Sequence, residues 1–203
     1  MTADAIEDAW MEECLVAISI VGASDVQFAA CTETIDFDVG EKDIEGVPLV
    51  NGGRVTKWNP ESDTSVTLEA YPLQAGTDSG TTGLGFYDLL HSSDAAVPVR
   101  VINTRNRYKV RMLVLWTNDS TATTAQSATA ANASAIRFGM AEARVTSTKA
   151  SFTDGILKWT IIVKCAPFDK AAVGNVMWES AAGTAGGDIL PAIASYTTSY
   201  KFG

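Results

Sequence analysis

The stretch DIEGVPLVNGGRVTKWNPESDTSVTLEAY, Asp43 to Tyr71, sets an Asn-Gly dipeptide inside a long alternating run and breaks each arm with a proline, Pro48 and Pro60. Asn-Gly between alternating apolar residues is a strong hairpin signal, because a two-residue type I′ turn needs positive φ at both central positions. Such a turn makes Val50 face Gly53 and fixes the pairing down the arms. Ile35 then faces Leu68 and Phe37 faces Val66, while Thr34 meets Glu69, Asp36 meets Thr67 and Asp38 meets Ser65. Apolar meets apolar and polar meets polar, and a slip of one residue would oppose the two patterns. From Thr34 to Val50 each arm would reach roughly 55 Å at about 3.3 Å per residue, against a radius of gyration of about 17 Å for a compact chain of this size. The tip is therefore expected to protrude. Neither proline can donate to a ladder, so the outer part is expected as a splayed β-arm or loop. An arm bearing Val47, Leu49, Val50, Val55 and Trp58 exposes apolar surface unless something covers it, and another subunit is the natural cover. The alternative is an ordinary long loop folded back over its own domain.

Composition limits what such an arm can serve. The 203 residues are 46% hydrophobic and 19% charged, enough for a real core, and we treat residues 1–203 as one domain. The net charge of −9 argues against sequence-independent binding to phosphate backbones, which depends on Lys and Arg displacing counterions. The opening MTADAIEDAWMEE has no basic residue, and none occurs before Lys42, so no export signal is read there. The early apolar run Cys14 to Val21 is far shorter than the roughly 20 residues that a membrane-spanning helix requires, so no membrane partner is expected. Cys14, Cys31 and Cys165 are scattered and His91 is the one histidine, which leaves zinc and redox sites without ligands. The cysteines read as small buried hydrophobes, with a single disulfide as the alternative.

Along the chain, Asp4 can cap a short helix over Ala5 to Glu13 within an N-terminal segment 1–24. Strands are expected over Leu15 to Val21, Val26 to Val39, Val97 to Asn103, Tyr108 to Trp116, Ala135 to Ser147 and Ile156 to Ala166. A last strand is expected in SYTTSYKF, with Tyr196, Thr198, Tyr200 and Phe202 on one face. A second short helix is expected over Leu84 to Ser92, where Phe86, Leu89 and Leu90 fall at helical spacing. Thr117 to Ala135 has no large apolar side chain and reads as a flexible surface loop. Its two sequons, at Asn118 and Asn132, read as chance occurrences in a polar loop, with glycosylation as the alternative. Glu179 to Asp188 reads as a second flexible connection.

No catalytic constellation emerges. GTTGLG, Gly80 to Gly85, is not a dinucleotide-binding order, and no G-x-S-x-G places a nucleophile near His91. Asp36 and Asp38 share a strand face about 7 Å apart but come with no aromatic cleft. The chain is not expected to be an enzyme, and no cofactor or metal is expected.

The order of ETIDFDVGEKD, the arm IEGVPLVNGGRVTKW, the return strand SDTSVTLEAY, a short helix and closing strands resembles the major tail tube protein of long-tailed viruses. That resemblance implies a mainly β fold, a tail-tube-like β-sandwich or half-barrel with a short flanking helix and a long β-arm at about 40–62. Six copies would close into a ring with a continuous inner β-barrel. Stacked rings would form the tube through which the genome passes. It implies as partners the chain itself, a tape measure, a terminator, baseplate or tip proteins, and DNA in transit, in a virion tail assembled in the host cytoplasm. Asp36, Asp38, Thr67 and Glu69 would face the lumen, where acids repel phosphate; a plain solvated face is the bland reading of the same residues. Val47, Leu49, Val50, Arg54, Val55 and Trp58 would contact neighbouring subunits. The alternatives are a tube subunit of a contractile injection or secretion system and a non-viral β-sandwich binding domain.

Overall fold

Alternation of apolar and polar side chains builds the described part of this molecule mainly from strands. The computed structural model describes residues 13–21, 26–28, 32–58, 61–70, 109–119, 121–128, 134–181, 190–193, 196–197 and 199–202. Both expected helices, the expected strand Val97 to Asn103, His91, Cys31 and Asn132 lie outside them. The strands are β1 (Glu13–Ile20), β2 (Val26–Phe28), β3 (Thr32–Asp38), β4 (Ile44–Pro48), β5 (Arg54–Trp58), β6 (Thr64–Ala70), β7 (Val110–Thr117), β8 (Ala135–Thr153), β9 (Ile156–Cys165) and β10 (Val176–Ala181). An antiparallel path runs β2-β1-β7-β8-β9-β6-β3, with β10 also paired to β8, while β4 and β5 pair with each other as a separate ribbon.

The 19-residue β8 carries the architecture. Its first half pairs with β7 on one side and β10 on the other, and from Arg144 onward it pairs with β9. The change of partner occurs beside Glu142, whose φ of 54° is unusual for a side chain of its size and re-aims the strand as a bulge does. One long strand thus belongs to two sheets, which fold over a shared core. Val16, Ile18, Met112, Val114, Phe138 and Met140 come from one sheet and Val66, Leu68, Ile161 and Val163 from the other. The result is mainly β, as the sequence pattern implied, and a curled half-barrel sheet, as the resemblance implied. β8 and β9 join through Asp154-Gly155, with φ of 55° and 79°, the two positive values that a type I′ turn demands.

The sequence reading needs correction at the C-terminus and in the Ala/Thr/Ser loop. Among the described residues 196–197 and 199–202 there is no strand: Tyr196 is fully buried and Tyr200 is exposed, and a turn closes between Thr197 and Tyr200 through bonds of 3.1 and 2.9 Å. This segment is a strap over the outer face of the β1-β7-β8-β10 sheet. Tyr196 Oη accepts from the Glu142 backbone N–H at 3.1 Å, and Phe202 sits where Gly139 has no side chain, since a Cβ there would lie 2.7 Å from its ring. The 117–135 loop is anchored too. Ala125 and Ala128 are buried with Leu113, Leu115, Leu190 and Ile193, and Ala128 bridges Leu190. Glu179 to Ala181, expected in a flexible connection, is the end of β10.

Arg137 ties these coverings down. It is buried, and its Nε donates to Glu179 Oε1 at 2.6 Å while Nη1 donates to the carbonyls of Gln126 and of Pro191, the latter at 3.0 Å. Burial pushes its pKa below the ordinary value, and the bond to Glu179 opposes that shift. Arg137→Ala removes one partner of a buried pair and strands two carbonyls, so it should cost about 3 kcal/mol of stability. A shift in urea unfolding equivalent to less than about 1 kcal/mol would mean that the loop and strap dock without it.

Candidate assembly surfaces

Two surfaces carry the residues that the sequence singled out. The first is the open face of the β8-β9-β6-β3 sheet. Ile35 pairs with Leu68, Asp36 with Thr67, Phe37 with Val66 and Asp38 with Ser65, which is the register expected from the turn and the alternation. Pairing continues from Thr67 to Ile162 and from Glu69 to Thr160, so Asp36, Asp38, Thr67 and Glu69 all lie on the side away from the core. Asp36 and Asp38 are exposed, and Thr67 and Glu69 are half-buried. Behind them Ile35 and Phe37 pack on the core, with Phe37 4.8 Å from Phe138 and 5.3 Å from Trp116 between ring centroids. Val39, expected on that apolar face, is instead half exposed where the chain leaves β3.

The acids are only half of the charge on this face. Register carries Arg144, Lys149, Lys158 and Lys164 onto the same side of β8 and β9, so among the described residues three acids share the face with four bases. Lys158 forms an ion pair with Glu69. The acids concentrate on β3 and β6 and the bases on β8 and β9, giving a face divided by sign rather than uniformly negative. Periodicity within β8 and β9 held this signal; no turn dipeptide linked those strands to β6, so it went unread. At the far end of the β8-β9 hairpin, Phe152 and Leu157 form a cross-strand pair that is 72% and 40% exposed, an apolar spot that sequence reasoning also missed.

The second surface is the arm. It is a regular ribbon rather than the splayed loop expected from its prolines, pairing Ile44 with Trp58, Glu45 with Lys57, Gly46 with Thr56, Val47 with Val55 and Pro48 with Arg54. Pro48 fits because Leu49 and Gly53 form the hydrogen-bonded pair, through Leu49 N–H to Gly53 O at 2.7 Å; the next pair needs no ladder bond from its nitrogen. The tip is also corrected. Val50, Asn51 and Gly52 make a three-residue loop in which Gly52 N–H returns to Leu49 O at 3.0 Å and Gly52 alone takes positive φ, 82°. That is a type I turn closed by a left-handed glycine, and Asn51 needs no positive φ.

The tip register therefore differs by one residue from that of β3 and β6, and the base of the arm absorbs the difference. Gly40 has φ of 80°, and a Cβ there would meet Ser62 O at 2.5 Å. Glu41 N–H donates to Ser62 Oγ at 2.7 Å and Thr64 Oγ1 donates to Val39 O at 3.3 Å. Every side chain from 41 to 57 is exposed, Val50 completely. Val47, Val55 and Leu49 share one face with the Glu45–Lys57 ion pair, and Pro48 and Arg54 lie on the other; of Trp58 the structure describes the backbone.

No protein-family model matches the chain, and no curated protein sequence matches it. Its backbone aligns with a chain from the extended sheath-tube complex of the extracellular contractile injection system PVC at a TM-score of 0.50 and 13% identity, covering 81% of this chain and 88% of that one. The two share a fold. Weaker likenesses are to the tube-terminating cap of the anti-feeding prophage, at a TM-score of 0.48 and 9% identity over 81% and 87% of the two chains, and to Hcp1 from Flavobacterium johnsoniae, at 0.32 and 13% over 74% and 89%.

Proposed function

We propose that this chain is a structural subunit that assembles with itself: six copies close into a ring, and rings stack into the tail tube of a tailed virus, through which the genome passes. The observation that carries this reading is the arm. A lone two-stranded ribbon is marginal in water, and this one leaves both faces uncovered with Val47, Leu49, Val50 and Val55 exposed. A second copy of the chain supplies the cover. A strand edge points the same way: among the described residues β3 ends the sheet path, and an edge strand can pair with a strand of a neighbouring copy to build a closed wall. In that arrangement the face bearing Asp36 and Asp38 lines the channel, no cofactor takes part, and tape measure, terminator and baseplate or tip proteins meet the tube at its ends. A second reading, a tube subunit of a contractile injection system, is favoured by the likeness to the PVC complex.

The test is size-exclusion chromatography with light scattering over a range of concentration, followed by negative-stain imaging. Rings or tubes that grow with concentration are expected. A monomer at every concentration would point to a surface binding module instead.

A further inference from the structure

The C-terminal strap ends in a polar cluster away from the arm. Lys201 is buried, and its Nζ donates to Asp169 Oδ2 and to Asn175 Oδ1, each at 2.7 Å. Asn175 is buried as well. Its Nδ2 donates to Ala166 O at 2.9 Å, its backbone N–H to Pro167 O at 2.8 Å, and its carbonyl accepts from Ala141 N–H at 2.7 Å. Asp169 Oδ1 is engaged by the N–H groups of Ala171 and Val173 at 2.8 and 2.9 Å, which leaves Oδ2 aimed at the lysine. Arg111 Nη1 holds the Lys201 carbonyl at 3.2 Å. A primary amine, a carboxamide and a carboxylate are thus fixed against one another by separate parts of the chain. With a C=O bond of about 1.2 Å, Nζ lies about 3–4 Å from Asn175 Cγ, close to near-attack range.

We propose that Lys201 and Asn175 join as an intramolecular isopeptide bond, with Asp169 as the catalytic proton carrier. One Nζ proton passes to Asp169 Oδ2, freeing the amine lone pair. That pair forms the bond to Cγ, and the C=O π electrons move to Oδ1. Asp169 delivers its proton to Nδ2 and takes a second from Nζ. Oδ1 re-forms the carbonyl as the Cγ–Nδ2 bond breaks and ammonia leaves, collecting the proton from Asp169. A lysine ammonium and a carboxamide become a secondary amide and an ammonium ion, with no oxidant and no co-reactant. The bond to Lys201, and then the Val173 N–H, hold the Asp169 pKa down to about 2, so the resting cluster is an ion pair and the reactive neutral pair is its minor form. The bond therefore forms slowly, after folding, and staples the strap to the segment that leads into β10.

The transfer within the pair changes no net charge, so the rate should be flat with pH between the carboxyl and lysine ranges. The charged groups of the adjoining groove are Asp63, Lys109, Glu142, Arg144, Lys164 and Lys170. The experiment is intact-mass spectrometry of the full chain during incubation, with sequencing of the linked peptides. The expected product is lighter by one ammonia, joins Lys201 to Asn175, and forms at the same rate between the carboxyl and lysine ranges. Asp169→Asn should slow it by about 10²-fold or more and make the remaining rate rise roughly tenfold per pH unit, as the free amine does. Lys201→Arg keeps the pairing with Asp169 and should retain the full mass. An unchanged wild-type mass after prolonged incubation overturns the proposal. A linked product whose rate is indifferent to Asp169→Asn overturns the role of Asp169.

Discussion

Val47→Asp combined with Val55→Asp is expected to abolish tube formation while leaving the subunit folded. The two valines face each other across the arm, 39% and 50% exposed in the single chain, and among the described residues β4 and β5 pair only with each other. Their substitution therefore removes nothing from the core clusters that hold the subunit. If a neighbouring copy buries them, each contributes about 1–2 kcal/mol of apolar burial, and placing unpaired carboxylates in that contact costs more. The combined loss of about 3–5 kcal/mol at each contact weakens association by about 10²–10⁴-fold. Circular dichroism should show the wild-type β signal and sedimentation should show no large assemblies. Normal tubes, or loss of the β signal, would contradict an arm that works between subunits.

The second large effect concerns the channel. Asp36→Lys with Asp38→Lys changes two exposed side chains on the polar side of β3, where single substitutions ordinarily alter stability by no more than about 0.5 kcal/mol. Their electrical effect is large because the wild-type face is nearly balanced: four bases on β8 and β9 oppose the acids of β3 and β6. Removing two acids and adding two lysines makes the face strongly basic, and the proposed ring would repeat that change around its channel. Tubes of the variant should retain DNA, and retention should fall as salt rises, because phosphate contacts release counterions. Equal retention by wild-type and variant tubes across a salt series would place this sheet face outside the channel.

What was legible in the sequence follows from how locally each feature is encoded. The β3-β6 register was readable because Ile35, Phe37, Val66 and Leu68 alternate with polar residues on both strands, so only one pairing satisfies both faces. The turn at Asn51-Gly52 was readable as a turn but not as a type: a dipeptide that suits two positive φ values also suits one, and the choice reset the tip register by a residue. The compensating bend depends on Gly40 lying against Ser62, a contact between distant residues that no local pattern announces. The C-terminal residues alternate like a strand, yet the side of the sheet that carries Arg111 and Arg137 needed a cover, and both are buried beneath it. Gly139 left the space for Phe202 to provide it. The Ala/Thr/Ser loop misled for a related reason: alanines contribute little apolar area each, but Ala125 and Ala128 are small enough to fill the shallow ground over Leu113 and Leu115. The bases of the polar face belong to strands joined to β6 only through tertiary pairing, so their sign could be counted from sequence but not their position.

Cryo-electron microscopy of wild-type assemblies tests the central claim most directly, because one map locates both surfaces. The account predicts stacked rings in which the β8-β9-β6-β3 sheet forms the inner wall, Asp36 and Asp38 face the channel, and Val47, Val50 and Val55 of each arm lie against a neighbouring copy. Assemblies with these aspartates on the outside and the arms free in solvent would contradict it, as would a preparation that contains only monomers.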